Sequence, residues 1–165
     1  MPRQPVVVLV LVFLSLAGAL FSPAASAADE TETKTIVNMP GLVLPWEADD
    51  RWMCSQGNDG TTHQDNALYG FDFWRPQIEG APVFAAADGR VVKVVNIYTT
   101  STWPKRPYFS GNVVILDHGG VYSQYAHLGQ EGEPGTHGNP YVRLGQEVKR
   151  GQRIGSVGNT GSSSG

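Results

Sequence analysis

The sequence has a single cysteine, Cys54, and few charged residues. One cysteine excludes a disulfide framework within the chain and a cysteine-rich zinc finger. Charged residues are only 16% of the 165 residues, and the net charge of −3 lacks the basic excess of a dedicated nucleic-acid-binding protein. Apolar residues make up 41%, which is enough for a packed core, and the length fits one domain. We therefore expect a folded, mildly acidic domain with no nucleic-acid partner.

The N-terminus carries a long apolar run. Arg3 precedes the run from Val6 to Phe21, and Ala25-Ser26-Ala27 then places small residues where a signal peptidase reads them. A basic start, an apolar centre and a small-residue exit are typical of a secretory signal peptide. The run is shorter than the roughly 20 residues of a membrane span. We predict a signal peptide over residues 1–27, export of the mature chain, and a linker over the threonine-rich residues 28–41.

From residue 42 onwards the sequence predicts strands and little helix. Asn112–Asp117 is rich in β-branched residues, Gly119-Gly120 supplies the positive φ angles of a tight hairpin, and Val121–Leu128 returns as the partner strand. Alternation along the returning strand places His127 on the same face as Tyr125. Further strands are predicted at 82–86, 90–98, 142–148 and 153–157. The predicted fold over residues 42–165 is all-β, with antiparallel sheets in an open sandwich or barrel-like core.

Two side chains that could bind a metal lie close together in the sequence. His63 occupies a polar loop, and Asp72 follows Phe71 and precedes Phe73 in an aromatic strand. A carboxylate among apolar side chains is costly unless a cation or a hydrogen-bond donor compensates its charge. A histidine and an aspartate can supply nitrogen and oxygen ligands to zinc. The alternative is a surface histidine and an aspartate that accepts backbone N–H bonds.

The other histidines have different contexts. His127 lies near the end of a predicted strand, where an imidazole can orient a water or donate to a developing oxyanion. Its alternative is a core histidine hydrogen-bonded to a carbonyl group. His118 precedes the Gly-Gly turn and is predicted to shape it, and His137 in a Gly/Pro-rich loop is predicted to be solvated.

Five motifs follow one another in a specific order, and they cover most of Leu44 to Gly165. They are His63 with Tyr69-Gly70-Phe71-Asp72-Phe73, Gly80–Val91, Gly111–Gly119, Tyr125-Ala126-His127-Leu128, and Val148–Gly161 with its Gly158-Asn159-Thr160-Gly161 end. In this order they resemble the M23 family of zinc metallopeptidases, the lysostaphin or LytM type of peptidoglycan hydrolase.

The resemblance implies a fold, a cofactor and a site. The fold would be the antiparallel LytM-type core, a duplicated hybrid motif with long groove-lining loops. His63 and Asp72 would be two of three protein ligands to a Zn²⁺ ion, and His127 would be a catalytic histidine acting on the attacking water or the tetrahedral intermediate. The activity would be zinc-dependent hydrolysis of peptide cross-links in peptidoglycan. The loops 99–110 and 129–140, of which the first contains Trp103, would line the groove.

The sequence departs from the family pattern at two points. The family carries a His-x-His pair soon after the Gly-Asn-Thr-Gly loop, and the sequence stops at Gly165 before such a pair. We therefore expect this chain by itself not to be a competent hydrolase, and the alternative function is a non-catalytic domain that binds cell wall or activates a separate amidase. Many members place three residues between the first histidine and the aspartate, whereas eight separate His63 from Asp72 here. Asp65 lies nearer to His63 and is kept as an alternative ligand.

Cys54 has two interpretations. As a free thiol it is expected to be a small buried apolar side chain. In an exported protein an unpaired cysteine can also form a disulfide with a cysteine elsewhere, here one beyond Gly165.

Overall fold

The structure is a computed structural model that describes residues 41–61, 63, 68–77, 79–101, 110–129 and 141–163, together with the strand formed by 8–14. The described residues form strands, turns and loops, and none of them lies in a helix. The predicted all-β class is therefore confirmed. The linker 28–41 lies outside the described residues except for Gly41.

The described residues form nine strands in two antiparallel sheets. In chain order, β1 to β9 are Val8–Leu14, Met53–Gln56, Gly70–Trp74, Pro82–Phe84, Gly89–Val95, Asn112–Asp117, Val121–Leu128, Glu147–Val148 and Arg153–Ser156. The larger sheet has seven strands in the order β2-β3-β1-β7-β6-β5-β8, and β4 pairs with β9 in the smaller sheet. The predicted strand positions agree with β4 to β9, although β8 and β9 are shorter than expected.

The β6–β7 hairpin forms as the sequence predicts. Gly119 and Gly120 adopt φ angles of 89° and 95°, which L-residues with a side chain rarely reach. The carboxylate of Asp117 accepts hydrogen bonds from both glycine amides at 2.9 Å. The turn residues therefore fix the register in which β6 and β7 pair.

The core lies between the two sheets. Leu116 of β6, Tyr125 of β7, Val83 of β4 and Ile154 of β9 are all almost fully inaccessible to solvent. Both sheets thus contribute apolar side chains to one cluster, and this burial is the main favourable term in folding.

A hydrogen-bond chain runs from this core to the surface. The Tyr125 hydroxyl accepts the backbone N–H of Ala86 at 2.8 Å and lies 3.1 Å from the hydroxyl of Ser123. Ser123 in turn lies 2.8 Å from Nε2 of His118, whose Nδ1 donates to the carbonyl of Asp88 at 2.7 Å. The backbone N–H of His118 donates to the carbonyl of Val121 at 2.7 Å, so His118 takes part in the Gly-Gly turn as predicted, and its side chain also links β7 to the β4–β5 turn. Burial raises the pKa of the Tyr125 hydroxyl, which keeps it neutral.

Aromatic side chains attach the segment before β2 to strand β3. Trp46 stacks on Trp52 with ring centroids 4.9 Å apart and meets Phe73 edge-on at 4.7 Å. The guanidinium of Arg75 lies 5.1 Å from the Trp52 ring and forms an ion pair with Asp50 at 2.8 Å. Because Phe73 neighbours Asp72, this cluster fixes the strand that carries the candidate metal ligand.

Strand β1 falls within the predicted signal peptide. It pairs with β3 on one side and with β7 on the other, and Leu9 is the partner of both Asp72 and Ala126. Cleavage after Ala27 stays a prediction. None of the described residues forms a helix long and apolar enough to cross a membrane.

Cys54 corrects one expectation. It was expected to be buried, but its side chain is exposed, because β2 is the edge strand of the larger sheet. Its thiol donates to the carbonyl of Gln56 at 3.3 Å. Pairing with a cysteine beyond Gly165 stays a prediction.

Replacing Tyr125 with phenylalanine is expected to lower the free energy of unfolding by about 1–3 kcal/mol, because the buried N–H of Ala86 loses its acceptor. Urea denaturation measures the change. Tyr122→Phe, on the half-buried alternate side of the same strand, is the matched control and is expected to stay within about 0.5 kcal/mol. Equal effects of the two substitutions would contradict the role of the Tyr125 hydroxyl.

Deleting residues 1–27 is expected to expose the backbone groups of β3 and β7 that pair with β1. Amide hydrogen exchange should become roughly tenfold faster or more at those positions, since local opening then costs less free energy. The β5–β6 ladder is the internal control and should keep its protection. Unchanged exchange in β3 and β7 would show that β1 does not pair there in solution.

Candidate functional site

Strand β3 positions Asp72. The strand is held by β1 on one side and by β2 on the other, and the rings of Phe71 and Phe73 stack with centroids 6.1 Å apart. The Asp72 side chain is 16% exposed. This aspartate therefore projects from a constrained backbone at a largely desolvated position.

The structure brings His63 and Asp72 together. His63 Nε2 lies 3.0 Å from Asp72 Oδ1, and the histidine side chain is only 3% exposed. His63 Nδ1 lies 2.8 Å from the carbonyl oxygen of Gly57. The alternative of a surface histidine is therefore wrong for this structure.

The two contacts of His63 determine what each ring nitrogen must carry. A carbonyl oxygen only accepts, so Nδ1 carries a proton. An ionised carboxylate also only accepts, so the contact of Nε2 with Asp72 Oδ1 at 3.0 Å requires a proton on one of the two groups or a cation between them.

A zinc ion is one cation that fits these donors. Zinc binds imidazole nitrogen and carboxylate oxygen at about 2.0–2.2 Å, so two ligands of a tetrahedral ion lie about 3.3 Å apart. The Nε2–Oδ1 separation of 3.0 Å is close to that value. The Nδ1–H bond to Gly57 is the outer-sphere contact that orients a ligating histidine. His63 and Asp72 therefore fit two positions of a zinc site.

Burial controls the ionisation of Asp72. Desolvation raises the pKa of its carboxyl group, and the neighbouring His63 and His127 act in the opposite direction. The second oxygen, Oδ2, accepts a long hydrogen bond of 3.5 Å from the amide of Gln56. The carboxylate is thus under-compensated, which favours a cation at this place.

A bulge positions His127. Asn112 pairs with Leu128 and Val114 with Tyr125, so one β6 residue opposes two β7 residues, Ala126 and His127. His127 adopts a φ of 57°, which is unusual for a residue with a side chain. The alternation that predicted a face shared with Tyr125 therefore does not continue to His127.

The ring of His127 is buried and neutral. Its Nδ1 donates to the carbonyl of Thr160 at 2.7 Å, as the alternative of a carbonyl-bonded core histidine predicts. This bond leaves Nε2 as the lone pair, so the contact with Thr160 is compatible with proton transfer at Nε2. Burial lowers the pKa of the His127 imidazole, while the Thr160 bond and the charge of Asp72 oppose that change.

His127 and Asp72 lie on strands separated only by β1. Neighbouring strands are about 4.8 Å apart, which sets β3 and β7 about 10 Å apart. The two groups influence each other electrostatically. The described residues contain no cluster of three or more His, Cys, Asp or Glu side chains that could hold a metal. They therefore contain one contacting histidine–aspartate pair, His63 and Asp72, with His127 on the second strand away.

Sequence reasoning missed three polar residues around the site: Gln56 beside Asp72, and Asn112 and Thr160 behind His127. The last two lie in motifs quoted for the resemblance, which gave them no role. Asp65, His137 and nearly all of the loops 99–110 and 129–140 lie outside the described residues.

Comparison with known proteins supports the same family. The model of peptidase family M23 matches residues 67–165, a stretch that includes Asp72 and His127. The peptidoglycan DD-endopeptidase ShyA of Vibrio cholerae is 34% identical over 122 residues, which are 70% of this chain and 24% of that protein. The cell division protein DipM of Caulobacter vibrioides is 31% identical over 82% of this chain and 19% of its own length.

A murein hydrolase activator, NlpD of Salmonella dublin, is 31% identical over 87% of this chain and 32% of its own length. The chain thus spans about a third or less of these relatives. The crystal structure of a zinc-containing peptidase from Vibrio cholerae aligns with 74% of this chain and 33% of that chain, at 25% identity and a TM-score of 0.43. Because the M23 model matches more than half of the sequence, the chain belongs to peptidase family M23.

Proposed function

We propose that this domain belongs to a zinc-dependent metalloendopeptidase that hydrolyses peptide cross-links in bacterial peptidoglycan. The observation that carries the proposal is the buried contact between His63 Nε2 and Asp72 Oδ1 at 3.0 Å. A proton shared between these two groups would satisfy the contact, and a zinc ion bound by both would satisfy it as well, because imidazole nitrogen and carboxylate oxygen are usual zinc ligands.

His63 and Asp72 would hold the ion through Nε2 and a carboxylate oxygen. A bound zinc ion would act as a Lewis acid that polarises the scissile carbonyl and makes water a stronger nucleophile. Two protein ligands are fewer than the three of a catalytic zinc site. The described residues would therefore supply part of the coordination.

His127 would exchange a proton at Nε2 with the reacting groups. Its Nδ1–H is engaged by Thr160, and burial lowers its pKa, so the ring is neutral and can accept a proton near pH 7. Once protonated, it can donate to the developing oxyanion or to the leaving amine. The low accessibility of His127 excludes bulk water from that step.

The substrate class rests on the family and on the relatives. The names of ShyA and NlpD refer to peptidoglycan and murein. A peptidoglycan substrate places the domain outside the cytoplasmic membrane, which agrees with the predicted signal peptide 1–27. The loops 99–110 and 129–140 would line the substrate groove, since they adjoin the strand that carries His127.

A second function is a non-catalytic domain that binds the cell wall or activates a separate amidase. Two observations favour it specifically: the similarity to NlpD over 87% of the chain, and the presence of two rather than three metal donors among the described residues. A binding domain would use the same groove and would not need the ion.

Asp72→Asn is expected to have opposite effects without and with zinc. Without metal at pH 8, the substitution should stabilise the chain by about 1 kcal/mol, because an amide N–H can donate to His63 Nε2 where the carboxylate oxygen cannot. With zinc, the wild type should gain thermal stability as the concentration rises, and the variant should not.

Differential scanning calorimetry with and without zinc measures both effects. Asp49→Asn, at an exposed aspartate, is the matched control and should behave like the wild type. A variant that keeps the zinc-dependent shift would remove Asp72 from the proposed ligand set.

His127→Ala is expected to reduce hydrolysis by about 10²–10⁴-fold, the usual contribution of a general acid–base. The measurement is the release of soluble peptide fragments from purified peptidoglycan by the complete gene product, with and without a chelator. His118→Ala, at the opposite end of β7, is the control and should keep its activity per folded molecule. The second function would be favoured if the protein sediments with peptidoglycan and stimulates an amidase, but releases no peptide fragments in a chelator-sensitive way.

A further inference from the structure

The Gly158–Gly161 loop packs against the back of His127. A Cβ atom added to Gly111 would lie 2.5 Å from the backbone carbon of Thr160, a distance that side chains do not tolerate. Gly111 also has a φ of 63°. The absence of a side chain at Gly111 therefore lets the loop approach the His127 bulge, and the approach brings the Thr160 carbonyl to His127 Nδ1.

Two backbone groups hold the Thr160 side chain at this place. Its hydroxyl donates to the carbonyl of Leu128 at 2.8 Å and accepts the backbone N–H of Asn112 at 2.9 Å. Thr160 is 2% exposed, so water does not compete for these bonds. The residue thus ties its own carbonyl to the strand position directly after His127.

Asn112 extends the same attachment to a third segment. Its side-chain oxygen accepts the backbone N–H groups of Ile97 and Tyr98 at 3.0 and 2.9 Å. Its amide donates to the carbonyl of Tyr98 at 2.8 Å and to that of Leu128 at 3.4 Å. Asn112 is 1% exposed, and its side chain therefore joins the residues after β5 to the end of β7.

We propose that Thr160, held in place by Asn112, is a positioning residue that fixes His127 in the tautomer protonated at Nδ1. The carbonyl of Thr160 can only accept, so its fixed position selects Nδ1–H and leaves the lone pair at Nε2. This inference deepens the proposed function, because it rests on His127 exchanging its proton at Nε2. It also gives the Gly-Asn-Thr-Gly and Gly-Asn motifs a physical role.

The test is the tautomer of His127, read by NMR from the two ring nitrogens of histidine labelled with ¹⁵N. In the wild type at pH 8, Nδ1 should carry the proton. Thr160→Val keeps the side-chain volume but removes the hydroxyl. It should raise the fraction protonated at Nε2 by about tenfold, the factor expected when one neutral hydrogen bond no longer favours Nδ1–H. Thr160→Ser keeps the hydroxyl and should retain the wild-type tautomer.

An internal control and a second variant support this test. His118 is the internal control, because its Nδ1 donates to the carbonyl of Asp88 and its signals should not respond to either substitution. If Thr160→Val does not fold, Thr160→Ala removes the same hydroxyl with less bulk. The protonation of His127 at Nδ1 is tested by the wild-type spectrum alone, so this part of the test does not depend on the folding of a variant.

Three results would overturn the proposal. The first is a wild-type His127 that is protonated at Nε2. The second is a His127 tautomer that stays unchanged in Thr160→Val. The third is a change of tautomer in Thr160→Ser as large as that in Thr160→Val. None of them depends on hydrolysis. Failure to cleave peptidoglycan would count against the proposed function alone, and a changed tautomer in Thr160→Val would still support the role of Thr160.

Discussion

The site depends on one buried contact, the approach of His63 Nε2 to Asp72 Oδ1 at 3.0 Å. The His63 ring is oriented from its other side, where Nδ1 lies 2.8 Å from the carbonyl oxygen of Gly57. The Asp72 side chain is largely buried, so bulk water does not replace the histidine as its partner. A contact of this kind needs surroundings that fix both side chains. Here the structure does so through the aromatic cluster of Trp46, Trp52 and Phe73 behind β3.

The second functional side chain is constrained in a different way. His127 is held by a bulge, a positive φ and a single backbone acceptor. A bulge inserts a residue that ordinary pairing would exclude, and it can therefore direct a side chain where strand alternation would not. Both parts of the site thus lie at a register shift: β2 shifts against β3 opposite Asp72, and β6 shifts against β7 beside His127.

Local signals in the sequence predicted the parts of the fold that local chemistry determines. The β6–β7 hairpin was predicted with its bounds, because β-branched strands and the Gly119-Gly120 turn act within a few residues of one another. The motif order identified the family and placed His63 beside Asp72. The bulge at His127 was not predicted, because strand alternation assumes regular pairing, and the bond partner of its ring, Thr160, lies about thirty positions away in the sequence. Cys54 was expected to be buried because residue type predicts average burial, whereas its exposure follows from the edge position of β2.

Polar networks at both ends of β7 explain why this strand can carry a strained residue. Near its start, the Tyr125 hydroxyl bonds directly to the N–H of Ala86, and Ser123 connects the strand to Asp88 through His118. At its end, Asn112 and Thr160 bind the carbonyl of Leu128. A buried network in which each member has its partner rigidifies the backbone, because breaking any bond leaves a desolvated group unpaired. The positive φ at His127 costs about 1–3 kcal/mol, the usual value for such a residue. The strand can keep this conformation because hydrogen bonds anchor it on both sides of His127. The orientation of His127 is therefore set by its own strand and by the Gly158–Gly161 loop, through the bonds of Thr160 to His127 and Leu128.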